Sequence, residues 1–123
     1  MNLSAARIFV RDLSQARHFY AETLGFPLKV DGSGFGYCVF EAGKVVLVVE
    51  VVDQDAPEED QILVGRFTGL SFSVEDVHTK HSELKAKGVE FSGPPEEQVW
   101  GGTLATFRDP AGNELQIVQY AAV

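Results

Sequence analysis

Ile8-Phe9-Val10-Arg11-Asp12-Leu13 and Phe72-Ser73-Val74-Glu75-Asp76-Val77 read alike, each as a short strand running into a helix start. In both, a Val stands two residues before an Asp whose carboxylate can accept from the free N–H groups of a first helical turn. Gln15 and Thr79 follow three residues later, and only Gln15 can complete a capping box. Leu13, Ala16, Phe19, Tyr20 and Leu24 then recur at helical spacing, as do Val77, His81 and Leu84 in the second copy. Gly25 and Gly88 stop the two helices at similar distances.

Short strands are predicted after each helix, near Leu28–Val30, Gly36–Phe40 and Val45–Val52, and again near Val89–Phe91, Thr103–Phe107 and Glu114–Tyr120. Asp31-Gly32-Ser33-Gly34, Ala42-Gly43 and Asp109-Pro110-Ala111-Gly112-Asn113 supply the turns. The pattern is strand, helix, three strands, twice over, in one α+β domain covering residues 1–123. The first module covers about 1–52 and the second about 67–123. In the segment between them, about 53–66, the stretch Asp53–Asp60 carries five acidic residues and no basic one, and reads as a solvated linker with a role at a pocket rim. A four-stranded module cannot bury both faces of its sheet alone, so modules must pair, and a homodimer is the economical arrangement.

Composition narrows the function. Nine Phe, three Tyr and one Trp in 45% hydrophobic residues exclude disorder. A net charge of -8 repels nucleic acid and anionic membrane surfaces and favours neutral or cationic small molecules. No apolar run is long enough to span a bilayer. The start MNLSAARIFV does not read as a signal peptide, and Cys38 is the only cysteine, so a cytoplasmic location is expected.

Val10-Arg11-Asp12-Leu13-Ser14 through His18-Phe19-Tyr20 to Leu24-Gly25-Phe26, then Phe72-Ser73-Val74-Glu75-Asp76, and finally Phe107-Arg108-Asp109-Pro110-Ala111-Gly112-Asn113-Glu114-Leu115, resemble the vicinal oxygen chelate superfamily. That superfamily includes glyoxalase I, extradiol dioxygenases and the fosfomycin and bleomycin resistance proteins. The resemblance implies two βαβββ modules whose sheets curl into a cupped half-barrel around a ligand. It also implies, in metal-dependent members, one divalent ion held by His or Glu on the first and last strands of each module. Those positions fall on Ala5, Leu47, Gly69 and Gln116. Only Gln116 offers an oxygen, and it is a neutral amide, so no metal or other cofactor is expected. His78 and His81, three apart near a helix start, read as surface or packing residues.

Strand alternation assigns Ile8, Val10, Leu70, Phe72 and Val74 to the helix-packed side. It assigns Ala5, Arg7, Phe9, Gly69, Ser71 and Ser73 to the cup, joined by Val45, Leu47, Val49, Glu114, Gln116, Val118 and Tyr120 from the last strands. Arg7 is an inward cation whose partner is Glu114, a linker carboxylate or an acidic ligand. Phe35 and Tyr37, from the glycine-rich hairpin, and Phe67 surround the opening or serve as core or dimer contacts. Trp100, before Gly101-Gly102, resembles a Trp-Gly pair of antibiotic-binding members and suits stacking on a planar or cationic ligand. The candidate ligand-binding set is therefore Arg7, Phe35, Tyr37, Ser71, Ser73, Trp100, Glu114, Gln116 and Tyr120. Two function classes follow. One is a metal-free protein, similar to the bleomycin resistance group, that sequesters a small organic ligand by affinity. The other is a lyase, isomerase or dioxygenase, either metal-dependent or using Glu114 as general base.

Overall fold

A computed structural model describes residues 1–122. The chain divides into two compact units, Met1–Arg66 with Pro110–Asn113, and Phe67–Asp109 with Glu114 onward. Two sheets with few helices give a mixed α+β architecture. No helix among the described residues is long and apolar enough to cross a membrane.

In the first unit β1 (Ala5–Val10) leads into α1 (Leu13–His18), which continues as a π-helical segment over Phe19–Thr23. Then come β2 (Leu28–Gly32), a 3-10 turn (Ser33–Phe35), β3 (Tyr37–Ala42), β4 (Val45–Val51) and the short α2 (Glu58–Gln61). The sheet order is β1-β4-β3-β2, with β1 parallel to β4 and the other pairs antiparallel. Asp12 caps α1 by accepting from the Gln15 N–H at 3.0 Å. The Leu24 N–H reaches five residues back to the Phe19 carbonyl, and this widened turn brings the adjacent Phe19 and Tyr20 inside together. Their rings meet edge to face at 5.2 Å, and Tyr20 lies 5.9 Å from Phe40 on β3. Ile8, Val10, Cys38, Phe40, Leu47 and Val49 complete this core. Burial raises the pKa of the Cys38 thiol, with Asp31 adding to the effect, so the sulfur packs as a small apolar group.

The face assigned to β4 needs correction. Ala6 pairs with Leu47, Arg7 with Val48, Ile8 with Val49 and Phe9 with Glu50. Directly paired residues share a face. Leu47 and Val49 therefore lie in the helix-packed core, on the same side as Val45, while Val46, Val48 and Glu50 stand beside Ala5, Arg7 and Phe9. A one-residue slip moves every side chain of a strand to the other face, and the unbroken apolar run Val45–Val49 contains no polar alternation that would fix it.

The segment expected to be a solvated linker is folded onto the first unit. Gln61 at the end of α2 shares its side-chain N–H groups among the carbonyls of Asp53, Gln54 and Ala56 at 2.7, 3.2 and 3.2 Å. Its side-chain oxygen accepts from Arg11.

In the second unit β5 (Phe67–Ser73) is followed by α3 (Val77–Ala86), β6 (Glu90–Phe91), β7 (Glu96–Glu97), β8 (Thr103–Arg108) and β9 (Glu114–Gln119). The order is β5-β9-β8-β6, with β7, a strand absent from the sequence reading, also pairing with β8. Between the pairs Phe67–Glu114 and Ser71–Gln116 the β5 chain carries two residues more than β9. Gly69 sits inside that bulge at φ +74°, so the position held as a plain strand residue in the sequence reading is left-handed backbone that favours glycine.

Asp76 caps α3 by accepting from the His78 and Thr79 N–H groups at 3.0 and 3.1 Å, and the Val77 N–H donates to the Gln119 side chain at 2.9 Å. The Thr79 N–H foremost holds the Asp76 carboxyl below the ordinary carboxylate range. A carboxyl depressed in the folded state contributes stability that is present above its unfolded-state pKa and lost as pH falls through the lower folded value. The urea midpoint of the wild type is therefore expected to fall more steeply over that acid window than that of Asp76→Asn, which keeps an acceptor oxygen but does not titrate. Equal slopes would show that the cap contributes nothing to acid stability.

Candidate functional site

The open face of the second unit is a set of cross-strand rows. In the first, the Ser71 hydroxyl donates to the Gln116 side-chain oxygen at 3.2 Å, and the Gln116 side-chain N–H donates to the Thr106 hydroxyl at 3.1 Å. β5, β9 and β8 align these residues, because Gln116 pairs with both Ser71 and Thr106. The next row is Ser73, Val118 and Leu104, and Glu96 of β7 extends it. Beyond it the β9 alternation brings Tyr120 beside the Trp100 indole, with ring centroids 6.1 Å apart at 45°. A Cβ at Gly102 would collide with that indole, so the absent side chain lets Trp100 pack against the backbone where β8 begins. Trp100 is 54% exposed and Tyr120 65%, so the pair turns a large aromatic surface outward. A cavity of about 100 Å3 lies against Leu104, Thr106 and Glu96, with Ser92, Gly93 and Pro94 as its other wall.

Glu114 lies at the opposite end of β9. Its carboxylate stands 3.8 Å from the Arg108 guanidinium, which also donates to Glu90 at 3.1 Å. The candidate general base is thus one end of a three-strand charge row. At about 3.3 Å per residue it is roughly 20 Å along the strand from Tyr120.

On the open face of the first unit, Phe9, Glu50, Tyr37 and Gly32 form one row and Arg7, Val48, Val39 and Val30 the next. The Arg7 partner within its unit is Glu50, on the neighbouring strand β4. Arg7 donates twice to Glu50, at 2.5 and 2.9 Å, and lies 5.2 Å from the Phe9 ring centre. The Glu50 carboxylate holds the proton on Arg7 still more firmly, first through the hydrogen bonds and then through its charge. A cleft of about 320 Å3 opens beside this pair, walled by Phe9, Val52, Asp53, Asp60 and Leu63. The Tyr37 ring lies over Gly32, and Phe35, 89% exposed, projects from the 3-10 turn. Phe67 is also exposed.

Ser71 and Gln116 are therefore hydrogen-bonded, Trp100 and Tyr120 are in ring contact, and Ser73 lies on the intervening row. Glu114 stands apart from them within the unit. Thr106, Leu104 and Glu96 belong to the same face and were missed. Thr106 was accessible from sequence had the β8–β9 hairpin register been laid out around Asp109–Asn113, which sets it opposite Gln116. No local signal marks Glu96, because β7 is only two residues long.

The family model for the glyoxalase/bleomycin resistance protein/dioxygenase superfamily matches residues 2–117. The chain belongs to this superfamily. Among its relatives, the uncharacterized protein YraH of Bacillus subtilis is 31% identical, over 95% of this chain and 97% of that protein. A superfamily member from Sphaerobacter thermophilus has a solved structure that aligns with a TM-score of 0.83 at 27% identity, covering 97% of each chain. TnmS3, an antibiotic binding protein from Streptomyces sp. CB03234, aligns with a TM-score of 0.78 at 27% identity, covering 98% of this chain and 97% of that one. Lactoylglutathione lyase from Agrobacterium tumefaciens shares the fold at 19% identity, with a TM-score of 0.77 over 96% of this chain and 92% of that one.

A metal centre in this superfamily member would need donors on the open faces of the two sheets. The first unit presents Ala5 and, with the β4 face corrected, Val48 in place of Leu47. The second presents Gly69 and Gln116. A hydrocarbon pair and a glycine supply nothing, and Gln116 offers only a neutral amide oxygen that already accepts from Ser71. Imidazole, carboxylate or thiolate donors are what a divalent ion requires, so these residues do not fit one. Among the described residues no three His, Cys, Asp or Glu side chains gather closely enough to hold a metal ion.

Proposed function

We propose that the chain is a small-molecule binding protein that takes an organic ligand on the open face of its second unit through stacking and hydrogen bonds, without a metal. The observation that carries this reading is the outward-turned Trp100–Tyr120 pair beside a hydrogen-bonding row. Exposed aromatic surface of this size is costly in water and is a common anchor for planar ligands. The donor-poor positions Ala5, Val48, Gly69 and Gln116 support binding over metal chemistry, and the likeness to the antibiotic binding protein TnmS3 supports a ligand of that kind. Sequestration would then act by affinity alone, with no bond made or broken.

Trp100 is the only tryptophan, so intrinsic fluorescence reports directly on the site. Titration with a panel of planar aromatic and cationic antibiotics is expected to give saturable quenching that is unchanged by a chelator. By calorimetry Trp100→Ala is expected to lower the affinity of the best ligand about tenfold or more, the loss typical of a central aromatic anchor. Absence of saturable quenching across the panel, or its disappearance with chelator, would overturn the proposal.

A further inference from the structure

The rows of the second unit's open face differ in chemistry in a fixed order along the strands. Thr106 and Gln116 form the polar end, Leu104 and Val118 the apolar middle, and Trp100 and Tyr120 the aromatic end. Tyr120 follows Gln116 by four positions, one past the end of β9, and Gly102, against which the indole lies, precedes Thr106 by four, one before the start of β8. At about 3.3 Å per residue both strands set the polar and aromatic ends roughly 13 Å apart.

Building on the proposed binding function, we infer that the site measures its ligand by length. It takes an elongated, uncharged or cationic molecule with a flat aromatic end, an apolar stem and a neutral hydrogen-bonding head. The aromatic end stacks on Trp100 and Tyr120, the stem crosses the half-buried Leu104, whose row partner Val118 is buried, and the head reaches the Thr106–Gln116–Ser71 row. The chain of hydrogen bonds along that row leaves the Thr106 hydroxyl proton and the Ser71 lone pairs for the ligand, because Thr106 accepts from Gln116 while Ser71 donates to it. An amide head answers both, with its oxygen toward Thr106 and its N–H toward Ser71. A carboxylate head is disfavoured, because Glu96 flanks Leu104 and the adjacent Glu97 is exposed.

The test uses naphthyl carboxamides joined by methylene stems of graded length, with the matching naphthyl alkanes and naphthyl carboxylates as controls, titrated by Trp100 quenching. Carboxamide affinity is expected to peak at the stem that carries the amide from the indole to Thr106. At that length the carboxamide exceeds the alkane about fivefold, the worth of one to two net hydrogen bonds, and exceeds the carboxylate. Thr106→Val removes the peak and erases the advantage of the carboxamide over the alkane of the same length, whereas a merely structural role for Thr106 would weaken both series alike and keep their ratio. If all three series quench but affinity shows no optimum with stem length, or if Thr106→Val leaves the optimum in place, the length inference fails and the binding function stands. If no series quenches, the binding function itself falls.

Discussion

Leu47→Glu is expected to leave the chain unfolded at neutral pH, whereas Val48→Glu, one residue along the same strand, keeps it folded. Leu47 is 1% exposed and packs on the helix side of β4 with Ile8, Val49 and Phe40. A carboxylate there has no cation to meet and no water to keep. Even truncation to Ala at such a site costs about 2–5 kcal/mol, and an unpaired buried charge adds several kcal/mol more. Domains of this size carry about 5–15 kcal/mol in total, so the glutamate exhausts the margin. Val48 instead lies on the open face beside Arg7, where a carboxylate is half-exposed and has a guanidinium within a strand's width. Far-UV circular dichroism and a urea titration of the two variants separate the outcomes. A folded Leu47→Glu with an unfolded Val48→Glu would reverse the face assigned to β4, and with it the residues offered to a ligand in the first unit.

Asn113→Ala is expected to lower stability by about 3 kcal/mol, or about 10 °C in Tm for a chain of this length. Asn113 is 1% exposed in the Asp109–Asn113 turn. Its side-chain N–H donates to the Phe9 carbonyl at 2.8 Å, and its oxygen accepts from the Gly65 and Arg66 N–H groups at 2.8 and 3.3 Å. One side chain thus ties β1, the end of the acidic segment and the turn together, and its removal strands three backbone groups. Each costs about 1–3 kcal/mol if left dry, moderated here because Gly65 and Arg66 can recover water. Asn113→Asp sharpens the test. A carboxylate still accepts from Gly65 and Arg66 but sets its lone pairs against the Phe9 carbonyl, whereas the protonated acid can donate. The folded state of this variant therefore favours the proton, and its deficit relative to wild type shrinks as pH falls from the raised folded-state value to the ordinary carboxylate range, below which it changes no further. A deficit independent of pH, or an Asn113→Ala as stable as wild type, would show that the bond to Phe9 contributes little.

The parts of the fold legible in sequence are those written locally. Asp12 and Asp76 announce their helices because a cap needs only residues within one turn, and the Asp31–Gly34 and Asp109–Asn113 segments announce their hairpins for the same reason. Where several residues of one kind follow each other, nothing local remains to choose between alternatives. Val45–Val49 could face either way, and only pairing with β1 settles it. The Arg7 partner lies 43 residues away on Glu50, a distance over which sequence alone could not rank Glu50 above Glu114 or the linker acids. Gly69 looked like one more small strand residue because a bulge is visible only when the two strands are counted against each other. Ser71, Gln116, Trp100 and Tyr120 emerged from β alternation and from aromatic residues beside glycines. Their grouping into ordered rows depends on the hairpin register, which no single position encodes.

Gln61 gives the acidic segment an unusual freedom. Its amide grips the carbonyls of Asp53, Gln54 and Ala56, and carbonyls are the one feature that all residue types share. These three bonds therefore do not depend on which side chains stand at positions 53, 54 and 56. Here, natural variation or a protein engineer can redraw the electrostatic character of the surface and leave the path of the main chain as it was.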